Sequence, residues 1–128
     1  MQRIRFLLVA DSPGHTTGYY VVARALREAG VEVILGGYAQ AEEIVETAIQ
    51  EDVDFIGYRI MDREPLAIVS RLREVLEHRG HGGIRLIVGG IVARHDVARL
   101  RALGVESVFR PGAKLSDIVA HVTGASAR

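Results

Sequence analysis

Five short apolar runs alternate with five amphipathic stretches from one end of this chain to the other. Residues 4–10, 31–35, 55–58, 85–88 and 107–109 are strand-like, being short, apolar and rich in β-branched side chains. Between them the apolar residues recur at helical spacing. Val21, Val22, Ala25, Leu26 and Ala29 mark a first helix, and Gly30 stands where a left-handed cap would close it. Ile44, Val45, Ala48 and Ile49 mark a second, with Glu42 and Glu43 at its positive end. The third runs over residues 64–79 on a stripe of Leu66, Val69, Leu72, Val75 and Leu76, broken by Gly80, Gly82 and Gly83. Val97, Leu100 and Leu103 make a fourth, ended by Gly104. Leu115, Ile118, Val119 and Val122 make a fifth, and the tail 124–128 is expected to fray. Strict β–α alternation implies a parallel sheet covered by helices on both faces, wound right-handedly. At 128 residues the expected architecture is one domain, core 4–122, with the flavodoxin-like (Rossmann-like) strand order 2-1-3-4-5. Ligands of such sheets bind beyond the carboxyl ends of the strands. Four loops therefore matter: 11–18, 59–63, 89–94 and 110–114.

Charge and composition narrow the partners. Sixteen basic and sixteen acidic side chains cancel, so neither nucleic acid nor a membrane surface is an expected partner. Arg71, Arg73 and Arg79 are interspersed with Glu74 and Glu77, which reads as a solvated helix face. Cysteine is absent, which excludes disulfides, zinc–thiolate sites and a thiol nucleophile. The apolar run 6–10 is too short for a bilayer span or a signal core. The expected location is cytoplasmic.

The chemistry concentrates in the glycine-bearing loops. Gly14 and Gly18 bracket His15, Gly89-Gly90 ends the fourth strand, and Gly112 follows Pro111. Tight strand-to-helix turns use glycine in any case. Its recurrence at three of the four loops points further, to a shared pocket for a large, flat ligand. His15 is either a plain exposed loop residue or a neutral imidazole that binds a transition metal. In the second case its other nitrogen wants an acceptor. His78, His81 and His121 read as surface residues, whereas His95 is placed to approach the pocket rim. Asp11, Ser12, His15 and Thr16 lie close together but form no nucleophile–base–orienter arrangement. The glycine spacing matches neither the dinucleotide fingerprint nor the phosphate loop.

Several segments then carry a resemblance. They are Val21-Val22-Ala23-Arg24-Ala25-Leu26-Arg27-Glu28-Ala29-Gly30, Ala41-Glu42-Glu43-Ile44-Val45-Glu46, Gln50-Glu51-Asp52-Val53-Asp54, Val88-Gly89-Gly90-Ile91, Ala102-Leu103-Gly104-Val105, Val108-Phe109 and Pro111-Gly112. Together, over residues 4–122, they resemble the cobalamin-binding domain of acyl-CoA mutases of the methylmalonyl-CoA mutase type. The family loop Asp-x-His-x-x-Gly aligns with Pro13-Gly14-His15-Thr16-Thr17-Gly18. The resemblance makes His15 the axial cobalt ligand. Pro13 stands where the family has an aspartate that holds the far nitrogen of the histidine, and Asp11 is the candidate substitute. The family Ser-x-Leu motif aligns with Arg59-Ile60-Met61. Arg59 is expected either to fill the slot for the cofactor's nucleotide tail, or to turn outward onto a phosphate or Asp62.

The cofactor-binding set implied by the resemblance is the loop Gly14 to Gly18, with Arg59 and Met61, Gly89, Gly90 and Ile91, and Phe109, Pro111 and Gly112. The implied function is a cobalamin-binding small subunit or domain of an adenosylcobalamin-dependent acyl-CoA mutase (an isomerase). The chain begins at its first strand and carries no barrel for an acyl-CoA, so a separate large subunit is the expected partner. A homo-oligomer is compatible with the same reading. The alternative is a degenerate relative that binds no cobalamin and acts as a binding, structural or regulatory partner. A phospho-receiver domain shares the topology. It would need clustered carboxylates after the first strand, where Asp11 stands alone.

Overall fold

The computed structural model describes residues 3–62 and 64–124. Arg63 and the tail 125–128, both part of the sequence expectations, lie outside the described residues. Five strands, β1 (Arg5–Ala10), β2 (Glu32–Tyr38), β3 (Phe55–Ile60), β4 (Arg85–Gly90) and β5 (Val105–Phe109), form one sheet. Its order is β2-β1-β3-β4-β5 and every pairing is parallel. Helices α1 (Thr16–Glu28), α2 (Ala41–Gln50), α3 (Pro65–His78), α4 (Val97–Ala102) and α5 (Leu115–Gly124) connect and follow the strands, with a 3-10 turn at Arg94–Asp96 before α4. The flavodoxin-like order read from the β–α alternation is the order observed. None of the described helices is long and apolar enough to cross a membrane.

Side-chain alternation along the strands splits the core in two. Leu7 and Val9 of β1, with Ile56 and Tyr58 of β3, face α2, α3 and α4, where Ile44, Val45, Val69, Leu72, Leu76 and Leu100 are buried. Phe6, Leu8 and Ala10 of β1 face the other way, onto Tyr19, Ala23 and Leu26 of α1 and Val122 of α5. The strands therefore read as continuous apolar runs because both faces are covered.

Helix ends follow local chemistry. Gly30, at φ 91°, lets the chain leave α1 with Gly30 N–H on Arg27 O and Val31 N–H on Leu26 O, both at 3.0 Å. This is the left-handed cap expected there. Gln40 and Glu43 form a reciprocal capping box on α2. Pro65 opens α3, where a missing N–H costs nothing.

Three expectations need correction. The strands extend beyond their apolar runs: β2 continues to Tyr38, and Arg59, Gly89 and Gly90 lie inside strands, paired as Arg59↔Gly89 and Ile60↔Gly90. Gly90 belongs there for a steric reason, since its φ is 113° and a Cβ would collide with the Ile60 carbonyl. In α1 the buried phase is Tyr19, Ala23 and Leu26, while Val21 and Ala29 are exposed. His121 is not a free surface residue either. Its ring meets Phe109 edge-on at 6.0 Å, and Nε2 lies 3.3 Å from Glu106 Oε2, too poorly aligned for a hydrogen bond.

Candidate functional site

α1 and α5 stand apart at the carboxyl edge of the sheet and leave a cleft of about 400 Å³ between them. Phe6, Leu8, Gly57 and Ile87 form its floor. Tyr19, Val21 and Val22 of α1 form one wall, and Leu115 and Ile118 of α5 the other. Gly57 is obligatory beneath it, because a Cβ there would run into the Phe6 ring. His15, Met61, Ile91 and Arg110 also line the cleft, as do the strand-end residues Arg59, Gly89, Gly90 and Phe109. No carboxylate of the described residues lines it. An apolar slot flanked by a few polar groups suits a large, mostly hydrophobic ligand.

Most of the expected site is brought together here. Gly18, Pro111 and Gly112 are also in the lining, and a Cβ on Gly18 or Gly112 would meet open space. Gly14, Thr16 and Thr17 are not in the lining. Gly14 shapes the loop at φ 88°, and the two threonines begin α1, exposed. His95 does not reach the rim, being exposed on the 3-10 turn with Nε2 3.7 Å from Asp96. Sequence reasoning missed Arg110, although a cation beside Pro111-Gly112 marked it. It also missed the α1 wall, whose signal was a pair of adjacent valines out of phase with one another. Arg110 is anchored through Nε to Val92 O at 2.9 Å.

His15 occupies the N-cap position of α1 in left-handed backbone, φ 50° and ψ 40°, and its side chain caps nothing. The imidazole is exposed at the mouth of the cleft and makes no hydrogen bond among the described residues. Asp11 does not supply the missing acceptor. Its Oδ1 accepts from Met61 N–H at 3.0 Å and from the Ser12 hydroxyl at 3.4 Å, and its Oδ2 accepts from Asp62 N–H at 3.0 Å. Both oxygens thus face the neighbouring loop.

Arg59 lines the cleft and makes no pair with Asp62; its guanidinium turns to the His15 loop. Its Nη1 donates to Gly14 O at 2.8 Å and His15 O at 2.6 Å, and its Nη2 to Ser12 O at 2.8 Å. Nε is buried without a hydrogen-bond partner. Beneath the site, burial and then the negative charge of Asp11 push the Tyr58 phenol up to about 12. Its hydroxyl donates to Ala39 O at 3.2 Å.

The donor set limits the metal chemistry. No three His, Asp or Glu side chains converge on a bare ion among the described residues. A single imidazole beside an apolar slot suits a metal that brings most of its own ligands with it.

The family model for the B12 binding domain matches residues 6–120. The 2-hydroxyisobutanoyl-CoA mutase small subunit of Aquincola tertiaricarbonis is 43% identical over 108 residues, covering 83% of this chain and 79% of that protein. The pivalyl-CoA mutase small subunit of Xanthobacter autotrophicus is 41% identical over 111 residues, covering 86% and 74%. Methylmalonyl-CoA mutase of Cereibacter sphaeroides is 31% identical over 94% of this chain, which spans only 17% of that longer protein. In fold, the chain superposes on a cobalamin-binding protein from Desulfitobacterium hafniense with a TM-score of 0.80 at 17% identity, covering 95% of this chain and 58% of the other. It also superposes on the receiver domain of Mycobacterium tuberculosis NarL with a TM-score of 0.72 at 16% identity, covering 99% and 98%. Those two likenesses concern the fold alone. On the sequence match across nearly its whole length, the chain belongs to the B12-binding domain family.

Proposed function

We propose that this chain is the cobalamin-binding small subunit of an adenosylcobalamin-dependent acyl-CoA mutase, presenting the corrinoid to a separate large subunit that holds the acyl-CoA. The observation that carries this reading is the His15 imidazole, without a hydrogen bond among the described residues, at the mouth of an apolar cleft of about 400 Å³, where no three His, Asp or Glu side chains of the described residues converge. Two relatives with the name of small subunit, each matched over roughly three-quarters of its length, support the partnership. A cytoplasmic location follows from that partnership.

The residues present fit the cofactor. His15 would supply an imidazole ligand to the cobalt. Gly18, Gly89, Gly90 and Gly112 would let the nucleotide tail approach bare backbone. Met61, Ile91, Phe109 and Pro111 would cover it. Gly14, Thr16 and Thr17 complete the loop that carries the ligand, and Arg59 holds that loop from behind. Bound adenosylcobalamin supplies the radical chemistry of the rearrangement. The chain's own share would be to hold the corrinoid, shield its tail from water and fix the His15 imidazole. The degenerate-relative reading has Pro13 in its favour, and the same assay decides against one of the two.

The test is direct. Purified protein is mixed with hydroxocobalamin, freed of excess by gel filtration, and its visible spectrum recorded. The parent should emerge coloured, and His15→Ala should emerge with a shifted spectrum or none. A colourless parent would leave the degenerate reading standing.

A further inference from the structure

The loop between β1 and α1 turns through two consecutive left-handed residues, Gly14 at φ 88° and His15 at φ 50°. The second is disfavoured for a residue with a Cβ. Nothing on the His15 side chain offsets this, because its ring caps no N–H. The turn is held by its carbonyls instead. Those of Ser12, Gly14 and His15 converge on the Arg59 guanidinium at 2.6–2.8 Å. Arg59 is a strand residue, paired with Ala10 of β1 and Gly89 of β4, so the clamp is mounted on the rigid sheet.

The lacing is reciprocal. Asp11 N–H donates to Arg59 O at 3.0 Å, and the Asp11 carboxylate accepts the N–H groups of Met61 and Asp62. The first loop is thereby tied to β3, and the second to Asp11, the residue that follows β1. A guanidinium presents its donors in a rigid planar fork that suits three converging carbonyls; an ammonium also carries three N–H donors, but its flexible stem fixes none of their directions.

We infer that Arg59 is a positioning residue, whose guanidinium holds the His15 loop in its disfavoured turn before any ligand arrives and so presents the imidazole to an incoming metal at no ordering cost. The inference rests on the corrinoid reading for its metal, and on hydrogen bonds within the protein for its mechanism. It assigns Arg59 to the backbone of His15 rather than to the ring, a route to preorganisation that needs no acceptor at position 13.

Arg59→Met and Arg59→Lys test it in two arms. In the first, amide hydrogen exchange is followed in the cofactor-free protein. Exchange across residues 12–18 should quicken by about tenfold in both variants, while the buried amides of β1 and β3 keep their protection. In the second, hydroxocobalamin is titrated in. Its dissociation constant should rise by about tenfold, and the bound spectrum should move toward that of His15→Ala. Arg59→Lys retains charge and stem, so it keeps the test open if the methionine variant does not fold. Unchanged loop exchange in the variants overturns the clamp. Faster exchange with an unaltered bound spectrum overturns its role in positioning the imidazole. A parent that takes up no cobalamin defeats the corrinoid reading and with it that positioning role, and the exchange arm alone then decides the clamp.

Discussion

Asp11 holds both carboxylate oxygens on backbone N–H groups of the next loop, Met61 and Asp62, each at 3.0 Å. Asp11→Ala leaves the part-buried Met61 N–H without its acceptor and hands the exposed Asp62 N–H to water, at a cost of about 1–3 kcal/mol. Urea unfolding should show that loss, and Asp11→Asn, which keeps one acceptor oxygen, should fall between. Gly90 is a second sensitive residue. Gly90→Ala forces a Cβ into the Ile60 carbonyl at φ 113° and should cost about 1–3 kcal/mol or more, measured the same way. His15 was legible in the sequence because glycines flank it just after a strand, a local pattern. The long-range partners of Asp11 and Arg59 were not, because they are peptide groups, and a peptide group has no sequence signature.

At the scale of an element, α1 shows what periodicity does and does not decide. Its existence and its glycine cap were readable, but its phase was not. Valines 21 and 22 both looked fit for the core, yet the buried line runs through Tyr19, Ala23 and Leu26, and Val21 faces the cleft. Tyr19 sets that phase. Its hydroxyl donates to Leu8 O at 2.8 Å and accepts Gly37 N–H at 2.9 Å, bridging β1 and β2 where their register slips between Leu8 and Val9. The slip follows Gly36, whose Cβ would come within 2.6 Å of Val9. It also explains why the apolar run stopped at Leu35 while the strand continued to Tyr38. Tyr19→Phe strips both partners and should lower stability by about 1–3 kcal/mol. Should urea unfolding show no change, the bridge contributes nothing.

Across the whole molecule, two buried phenols set an alkaline limit. Burial raises Tyr58 from 10.0 to about 12, aided by the Asp11 charge, and burial raises Tyr19 against the lowering effect of the Gly37 N–H. A group whose pKa is higher folded than unfolded contributes its stability fully below the unfolded value and loses it as pH rises through the folded one. The urea midpoint should therefore decline between pH 10 and about 12, and Tyr58→Phe should shallow that decline. A flat midpoint across this window would contradict the burial of both rings. Sequence by itself determined the order of elements, the parallel sheet and the edge on which a site would form. Those follow from apolar periodicity and chain connectivity, which are properties of neighbours along the chain. Only the tertiary structure decided that Arg59 grips the His15 loop, that Gly89 and Gly90 lie within β4, and which face of α1 lines the cleft. These depend on register between strands and on contacts some 45 residues apart, where the geometry of the sheet, not the local pattern, chooses the partner.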